Sequence, residues 1–155
     1  MTRPCPRPRV LACRLEPSSA TFSAYAATEI NGPERAALLG RQLIGDLARE
    51  HFVAMYVSAV HCVVGYDAFT TGGVTSVHVD PAAAVRGVIL AGQPALITVH
   101  NHPSGRLDPS ADDRRIWAEI AGRCACVGVE HLDDLVVTVD GYWSRSEGRA
   151  ARYPE

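Results

Sequence analysis

The sequence predicts an α/β fold, a single domain with a mixed, curved β-sheet flanked by helices. Segments with apolar residues at helical spacing alternate with short apolar runs typical of strands, and the Gly72-Gly73 pair indicates a hairpin turn. The length of 155 residues fits one hydrophobic core and leaves little for a second. We therefore place the domain at residues 31–148.

Residues 1–30 and 149–155 are expected to lie outside this domain. Prolines at positions 4, 6, 8 and 17, and the lack of a clear period, predict an N-terminal arm or linker over residues 1–30. Segments of this kind are often disordered or packed on a partner. Residues 149–155 are expected to form a C-terminal tail.

Composition and charge exclude several classes of protein. Hydrophobic residues make up 47% of the chain and charged residues 21%, which is too apolar for a disordered chain. A net charge of −2 does not favour binding to nucleic acid. No apolar run approaches the roughly 20 residues of a membrane span, and the N-terminus has no apolar segment of secretory type. We therefore expect a cytoplasmic protein that does not bind membranes, either monomeric or homo-oligomeric.

A helix start is predicted at residues 31–34. Asn31 would cap the helix with its side chain, Pro33 has the backbone angle of a first turn, and Glu34 faces the positive helix end. Apolar residues at helical spacing then continue to Ala48.

The other helices and strands are predicted from the same two signals, apolar residues at helical spacing and short apolar runs. A second helix is predicted over Pro81–Leu90, and a third along the stripe of Ile116, Trp117, Ile120, Ala121 and Cys124. Strands are predicted at Phe52–Val57, His61–Tyr66, Val74–Val79 and Ala95–Val99, then once or twice between Val127 and Val139, before Gly141 turns the chain towards Tyr142 and Trp143. The continuous apolar run at Ala95–Val99 is typical of a buried central strand.

Two histidines follow this central run. Because side chains alternate across a strand, His100 and His102 project from one face and Asn101 from the other. Asp113 lies on the buried stripe of the third helix, where a carboxylate is costly unless a cation or hydrogen-bond donors meet it. Two nitrogens and one oxygen suit Zn²⁺ with a fourth position left for water.

A helix cap explains part of the same pattern without a metal. Ser110 and Asp113 have the spacing of a capping box, with Asp113 in place of the usual glutamate. The cap does not explain two histidines on one strand face. The residues alone therefore leave both interpretations open.

Glu50 is the candidate general base for a hydrolytic metal site. It is expected where the first helix runs into the first strand, and the helix dipole opposes an anion there. The alternative is an ordinary exposed glutamate between Arg49 and His51, which the local sequence alone favours.

The five cysteines form no CxxC pair, so reduced thiols are expected. Cys124 and Cys126 with nearby His131 could be read as a metal site. Burial is the favoured interpretation, because Cys124 falls on the apolar stripe of the third helix.

The combination of Glu50, His100-x-His102, Ser110 and Asp113 resembles the JAMM motif of the JAB/MPN metallo-isopeptidase superfamily, whose fold is cytidine-deaminase-like. The run His100-Asn101-His102-Pro103-Ser104-Gly105 is similar to the sequence pattern of the RadC-like branch, and the resemblance extends from about Arg49 to Val137. The resemblance implies a zinc metalloprotease-type hydrolase acting on peptide or isopeptide bonds. It implies that His100, His102 and Asp113 bind zinc, that Glu50 deprotonates the water and that Ser110 stabilises the oxyanion.

The chain departs from the RadC-like pattern at two places. Asp80-Pro81-Ala82-Ala83 stands where the branch commonly has His-Pro-Arg-Glu, and Asp133-Asp134 stands where it commonly has Asp-His. These positions are not metal ligands, so the departures concern a substrate contact or a partner of the ligands. The helix-hairpin-helix segment of many full-length members also has no room here, so direct binding of nucleic acid is not expected.

Two classes of function remain. The first is a zinc-dependent hydrolase of amide bonds acting on a peptide or protein. The second is a catalytically silent binding module with the same fold, associated with DNA repair or mobile elements. An intact Glu50 beside an intact ligand set favours the enzyme, because a scaffold has no need of a base.

Overall fold

The computed structural model describes residues 28–70 and 79–154. In chain order its elements are β1 (Thr28–Glu29), α1 (Pro33–Ile44), β2 (His51–Val57), β3 (Cys62–Thr70), α2 (Pro81–Leu90), β4 (Ala95–Asn101), α3 (Ala111–Val127), β5 (Glu130–Val137), β6 (Gly141–Ser144) and β7 (Arg149–Arg152). The predicted Gly72-Gly73 turn and residues 74–78 of the predicted strand at Val74–Val79 lie outside the described residues, as do residues 1–27 of the predicted arm. Val79 is described and belongs to no strand.

The described strands form one open sheet of seven, in the spatial order β1-β3-β2-β4-β5-β6-β7. β4 pairs with β2 in antiparallel and with β5 in parallel orientation, and the other neighbours are antiparallel. The connection between the parallel strands is α3, as parallel pairing requires. The prediction of a single α/β domain with a mixed sheet flanked by helices is confirmed.

The two faces of the sheet carry separate cores. On one face, α1 packs against a cluster that includes Val53, Met55 and Val99. On the other face, α2 and α3 cover a cluster that includes Tyr56 and Leu96. β4 is buried at every residue, which confirms it as a central strand. Within residues 28–70 and 79–154, no helix combines the length and the apolar character that crossing a membrane requires.

The first helix differs from its prediction at both ends. Its N-cap is Gly32 and makes no side-chain capping bond, so the predicted cap by Asn31 is wrong. It ends at Ile44 rather than near Ala48, because the chain leaves the helix at Gly45 in a tight turn. Leu47 still packs against the α1-side core, which accounts for its apolar position in the sequence.

Two segments that the sequence predicted to lie outside the domain form strands at the two edges of the sheet. Thr28–Glu29 pairs with β3, and the amide of Ile30 donates to the carbonyl of His61. Arg149–Arg152, expected in the C-terminal tail, forms β7 against β6. Short strands at a sheet edge are set mainly by the neighbour that they pair with, and their local sequences are weak signals of a strand.

The packing of α2 on the sheet generates a test of the fold. The Tyr56 hydroxyl donates to Asp67 at 2.5 Å, and Gly87 of α2 lies directly over this pair. A Cβ at Gly87 would lie 2.7 Å from both Asp67 Oδ2 and Tyr56 Cζ. Gly87→Ala should therefore cost about 1–3 kcal/mol of stability through overpacking, measured as the urea unfolding midpoint.

Gly122→Ala is the matched control. Gly122 lies within α3, and a Cβ there would meet no atom within 4 Å. Alanine should stabilise the helix by about 0.5–1 kcal/mol relative to glycine. A Gly87→Ala protein as stable as wild type would contradict the packing of α2 on Tyr56.

Candidate metal centre

His100 and His102 meet at the end of β4. His100 is the penultimate residue of the strand, and the amide of His102 continues the ladder by donating to the carbonyl of Val137 at 3.2 Å. The two Nε2 atoms lie 3.0 Å apart. Asn101 turns its side chain away from this cluster, as the alternation of the strand predicts.

Asp113 reaches the histidines from the first turn of α3. Its Oδ1 lies 3.4 Å from His100 Nε2, and its Oδ2 lies 3.5 Å from His102 Nε2. The predicted capping box is also present: Ser110 Oγ accepts from the Asp113 amide, while Asp113 Oδ2 accepts from the Ser110 amide and hydroxyl. The cap and the cluster therefore coexist. Oδ1 is the oxygen that the cap leaves for an ion.

Glu50 lies beside this group, one residue before β2. Its Oε1 is 3.7 Å from His102 Nε2, and its side chain is 32% exposed. Because α1 ends at Ile44, Glu50 is well past the last helical turn, so the predicted opposition by the helix dipole is wrong.

The spacing of the donor atoms fits a metal ion. Ligand atoms around a tetrahedral zinc ion, with bonds of about 2.0–2.1 Å, lie about 3.3–3.4 Å apart. The two Nε2 atoms are 3.0 Å apart, and His100 Nε2 is 3.4 Å from Asp113 Oδ1. His102 Nε2 is 3.5 Å from the other carboxylate oxygen, Oδ2. In the described part of the chain, the cluster of side chains close enough to share an ion consists of these three and Glu50, with donor atoms within 4.8 Å of one another.

The surroundings hold both imidazoles in place. His102 Nδ1 lies 2.8 Å from the carbonyl of Arg106, and donation of Nδ1–H to it leaves the Nε2 lone pair facing the cluster. Gly105 adopts a positive φ of 75° in the turn that brings this carbonyl back. The His100 ring lies between Phe52 and Trp117, with ring centroids at 6.4 and 5.8 Å.

The Asp113 carboxylate and the His102 imidazole both have shifted pKa values. Burial would raise the pKa of Asp113, but the facing imidazoles of His100 and His102 outweigh it and hold that pKa well below its ordinary value. Burial would lower the pKa of His102, yet Asp113 and the Arg106 carbonyl raise it above its ordinary value. Asp113 is thus ready to act as an anionic ligand, whereas an ion must displace a proton from His102 at mildly acidic pH.

The cluster opens into a cleft of about 1050 Å³. A cleft of this size accommodates a peptide-sized ligand. Its lining includes the apolar side chains of Phe52, Val79, Ile116 and Trp117, the acids Asp80, Asp108, Asp112 and Glu119, and the bases Arg106 and Arg115.

Comparison with known proteins decides the family. The model of the RadC-like JAB domain matches residues 30–150, which is most of the chain. The chain belongs to the RadC-like JAB domain family. It is also similar to a UPF0758 protein of Rubrobacter xylanophilus, with 33% identity over 118 residues that cover 76% of this chain. The chain spans about half the length of that curated relative, 52% of it.

Within the described part of this RadC-like JAB domain, the candidate metal cluster includes no cysteine and no residue of the two divergent motifs. Cys124 is 1% exposed in the core under α3, which confirms the prediction of burial. Asp80 accepts from the amide of Ala82 as the N-cap of α2 and lines the cleft. Asp133 and Asp134 are buried within the sheet.

The sequence did not reveal the neighbours of the candidate ligands in this RadC-like JAB domain. Trp117 was expected as a core residue of α3, but it also contacts the His100 ring. Asn101 was expected only to face away, yet its amide contacts the backbone on both sides of Glu50. The helical stripe could have indicated Trp117, since it lies one turn after Asp113; spacing alone could not have indicated the partners of Asn101.

The ligand set generates a test of metal binding. His102→Ala removes one of three close donors, so the affinity for zinc should fall by at least about 10²-fold and the protein should lose thermal stability. Zinc content is measured by elemental analysis of protein purified without a metal-affinity tag. His61→Asn is the matched control, because it removes an exposed histidine at the far end of β2 and asparagine tolerates its φ of 55°. Stoichiometric zinc in the His102→Ala protein would show that the ligand set is different.

Proposed function

We propose that this RadC-like JAB domain is a zinc-dependent hydrolase that cleaves an amide bond in a peptide or isopeptide substrate, with water as the nucleophile. The position of Glu50 is the observation that carries the proposal. The side chains of His100, His102 and Asp113 approach one another to within 3.5 Å. The Glu50 carboxylate lies beside them, 3.7 Å from His102 Nε2. A carboxylate next to a site with three ligands is the arrangement expected of a base that does not itself ligate.

Three residues would hold the ion. These are His100 and His102 through Nε2 and Asp113 through Oδ1, the oxygen that the helix cap leaves available. When bound, zinc would supply a Lewis acid and lower the pKa of water from 15.7 to about 7.

Glu50 would move the proton that amide cleavage requires. Its Oε1 accepts a proton from the attacking water as the new C–O bond forms, and returns it to the departing nitrogen as the C–N bond breaks. The partial exposure of Glu50 to the cleft supports this role, because both the water and the leaving group must reach the carboxylate.

Ser110 would assist by donating its hydroxyl hydrogen to the developing oxyanion. The Ser110 hydroxyl donates to Asp113 Oδ2 with an oxygen–oxygen distance of 2.7 Å. The hydroxyl would therefore have to rotate towards the substrate during the reaction. Asp113 Oδ2 would keep the bond from the Ser110 amide, also 2.7 Å long, while this happens.

The cleft supports a peptide or protein as the substrate rather than a nucleic acid. Its lining combines aromatic and aliphatic side chains with more acids than bases. An acidic lining repels phosphates, whereas apolar walls with a few charged groups suit a peptide chain.

Glu50→Gln is the substitution that tests the mechanism. Glutamine keeps the size and hydrogen bonding of the side chain but cannot carry the proton, so zinc content should persist while turnover falls by at least roughly 10²-fold. Turnover is measured on peptide and isopeptide libraries with the zinc-loaded protein. Glu147→Gln is the matched control, since Glu147 is 31% exposed against 32% for Glu50 and pairs with Arg149 at the β6–β7 turn.

Two outcomes would count against the mechanism. Equal turnover by the wild type and Glu50→Gln on a cleaved substrate would remove Glu50 from the reaction. A zinc-loaded wild type that cleaves no member of a broad panel would favour a silent binding module instead.

The two roles of Ser110 can be separated by a pair of substitutions. Ser110→Ala removes the hydroxyl and a helix cap worth about 1 kcal/mol, whereas Ser110→Gly removes the hydroxyl at a capping cost of a few tenths of a kcal/mol. If the hydroxyl stabilises the oxyanion, kcat should fall equally in both, by roughly 10-fold or more, while only Ser110→Ala clearly lowers the unfolding midpoint. A loss of kcat that follows stability would instead assign Ser110 to the cap alone.

A further inference from the structure

Asn101 lies between the two histidines, and its side chain is fully buried on the face opposite the metal cluster. A buried amide is stable only when its donors and acceptor find partners. The partners of Asn101 are therefore informative about why an asparagine stands there.

The Asn101 side chain bonds to the backbone between α1 and the first residue of β2. Oδ1 accepts from the His51 amide at 2.7 Å, and Nδ2 donates to the carbonyls of Arg49 at 3.0 Å and Leu47 at 3.1 Å. These partners determine the orientation of the amide, because a flipped side chain would set an NH₂ group against the His51 N–H and an oxygen against two carbonyls.

These hydrogen bonds form a clamp, in which the Asn101 side chain holds the two peptide groups that flank Glu50. The carbonyl of Arg49 belongs to the peptide group before Glu50, and the amide of His51 belongs to the peptide group after it. Glu50 itself lies outside any helix or strand, in the segment between α1 and β2. One side chain thus fixes the backbone position from which the Glu50 carboxylate reaches His102.

We propose that Asn101 is a positioning residue for Glu50, so that the His100-Asn101-His102 triplet holds the metal from one face of β4 and the base from the other. The inference rests on the proposed hydrolase function for the role of Glu50. A displacement of about 1 Å at a catalytic group can cost roughly 10²-fold in rate, so a clamp on both adjoining peptide groups has a direct chemical consequence.

The first measurement asks whether the clamp exists in solution. Amide hydrogen exchange is followed at His51 in the full chain, for the wild type, Asn101→Ala and the milder Asn101→Ser. Exchange at His51 should be roughly tenfold faster or more in both variants, because its acceptor is lost. Ser144→Ala is the matched control: Ser144 is also fully buried, its hydroxyl makes three hydrogen bonds, and it lies on β6.

The second measurement asks whether the clamp acts on Glu50, without using activity. The Kd for zinc is measured in a double-variant cycle of Glu50→Gln and Asn101→Ala, with Asn101→Ser as the alternative if Asn101→Ala does not fold. In the wild-type background, loss of the Glu50 charge should weaken zinc binding by roughly threefold to tenfold. In the Asn101 variant, the same loss should change the Kd by less than about twofold, because Glu50 is no longer held beside the cluster.

Several outcomes would overturn the inference. An equal effect of Glu50→Gln on the zinc Kd in both backgrounds would make Asn101 a structural residue only. No effect of Glu50→Gln in the wild-type background, or unchanged exchange at His51 in the Asn101 variants, would also overturn it.

Turnover separates this inference from the proposed function. On a cleaved substrate, Asn101→Ser should lower kcat rather than raise KM, and it should cause no further loss in the Glu50→Gln protein. If the wild type cleaves nothing, the proposed hydrolase fails, while the exchange and zinc measurements still decide whether Asn101 holds Glu50.

Discussion

The antiparallel register between β2 and β4 is the constraint on which the candidate site depends. Phe52 pairs with His100 in this register, and continuing it past the end of β2 sets Glu50 opposite His102. Because side chains alternate across a sheet, Glu50 and both histidines share one face while Asn101 takes the other. A slip of one residue would send the imidazoles into the apolar core beneath α1, so burial of both sheet faces protects the site geometry.

The helix cap and the candidate metal site share one carboxylate, that of Asp113. Oδ2 of Asp113 accepts the two bonds from Ser110, and Oδ1 faces His100. The positive end of α3 favours the ionised form of Asp113, as do the imidazoles that face it. The cap therefore orients this candidate ligand and favours its charged form, and removing the cap would disturb the candidate metal site as well as the helix.

The buried carboxylates of β5 show why charge alone does not make a site. Asp134 accepts from Arg145 Nε at 2.6 Å and from the hydroxyl of Thr98. Asp133 accepts from the hydroxyl of Ser144 at 2.6 Å and from the amide of Ser146. Donors from β4, β6 and the turn after β6 satisfy these two acids, so both carboxylates of the divergent pair have partners within the protein. The Glu50 carboxylate, by contrast, is partly exposed to the cleft.

The sequence by itself determined the central helices and strands of the domain and the kinds of side chain, histidine and carboxylate, in the candidate site. The alternation at His100 and His102 and the cap spacing of Ser110 and Asp113 are local properties, which a few residues of backbone geometry decide. Only the tertiary structure decided that Glu50 lies beside His102 and that Asp113 contacts both Ser110 and His100. It also decided that the Asn101 side chain bonds to the backbone next to Glu50. β2 and β4 are distant in the chain, and their register follows from packing both faces of the sheet, a condition that no local segment contains.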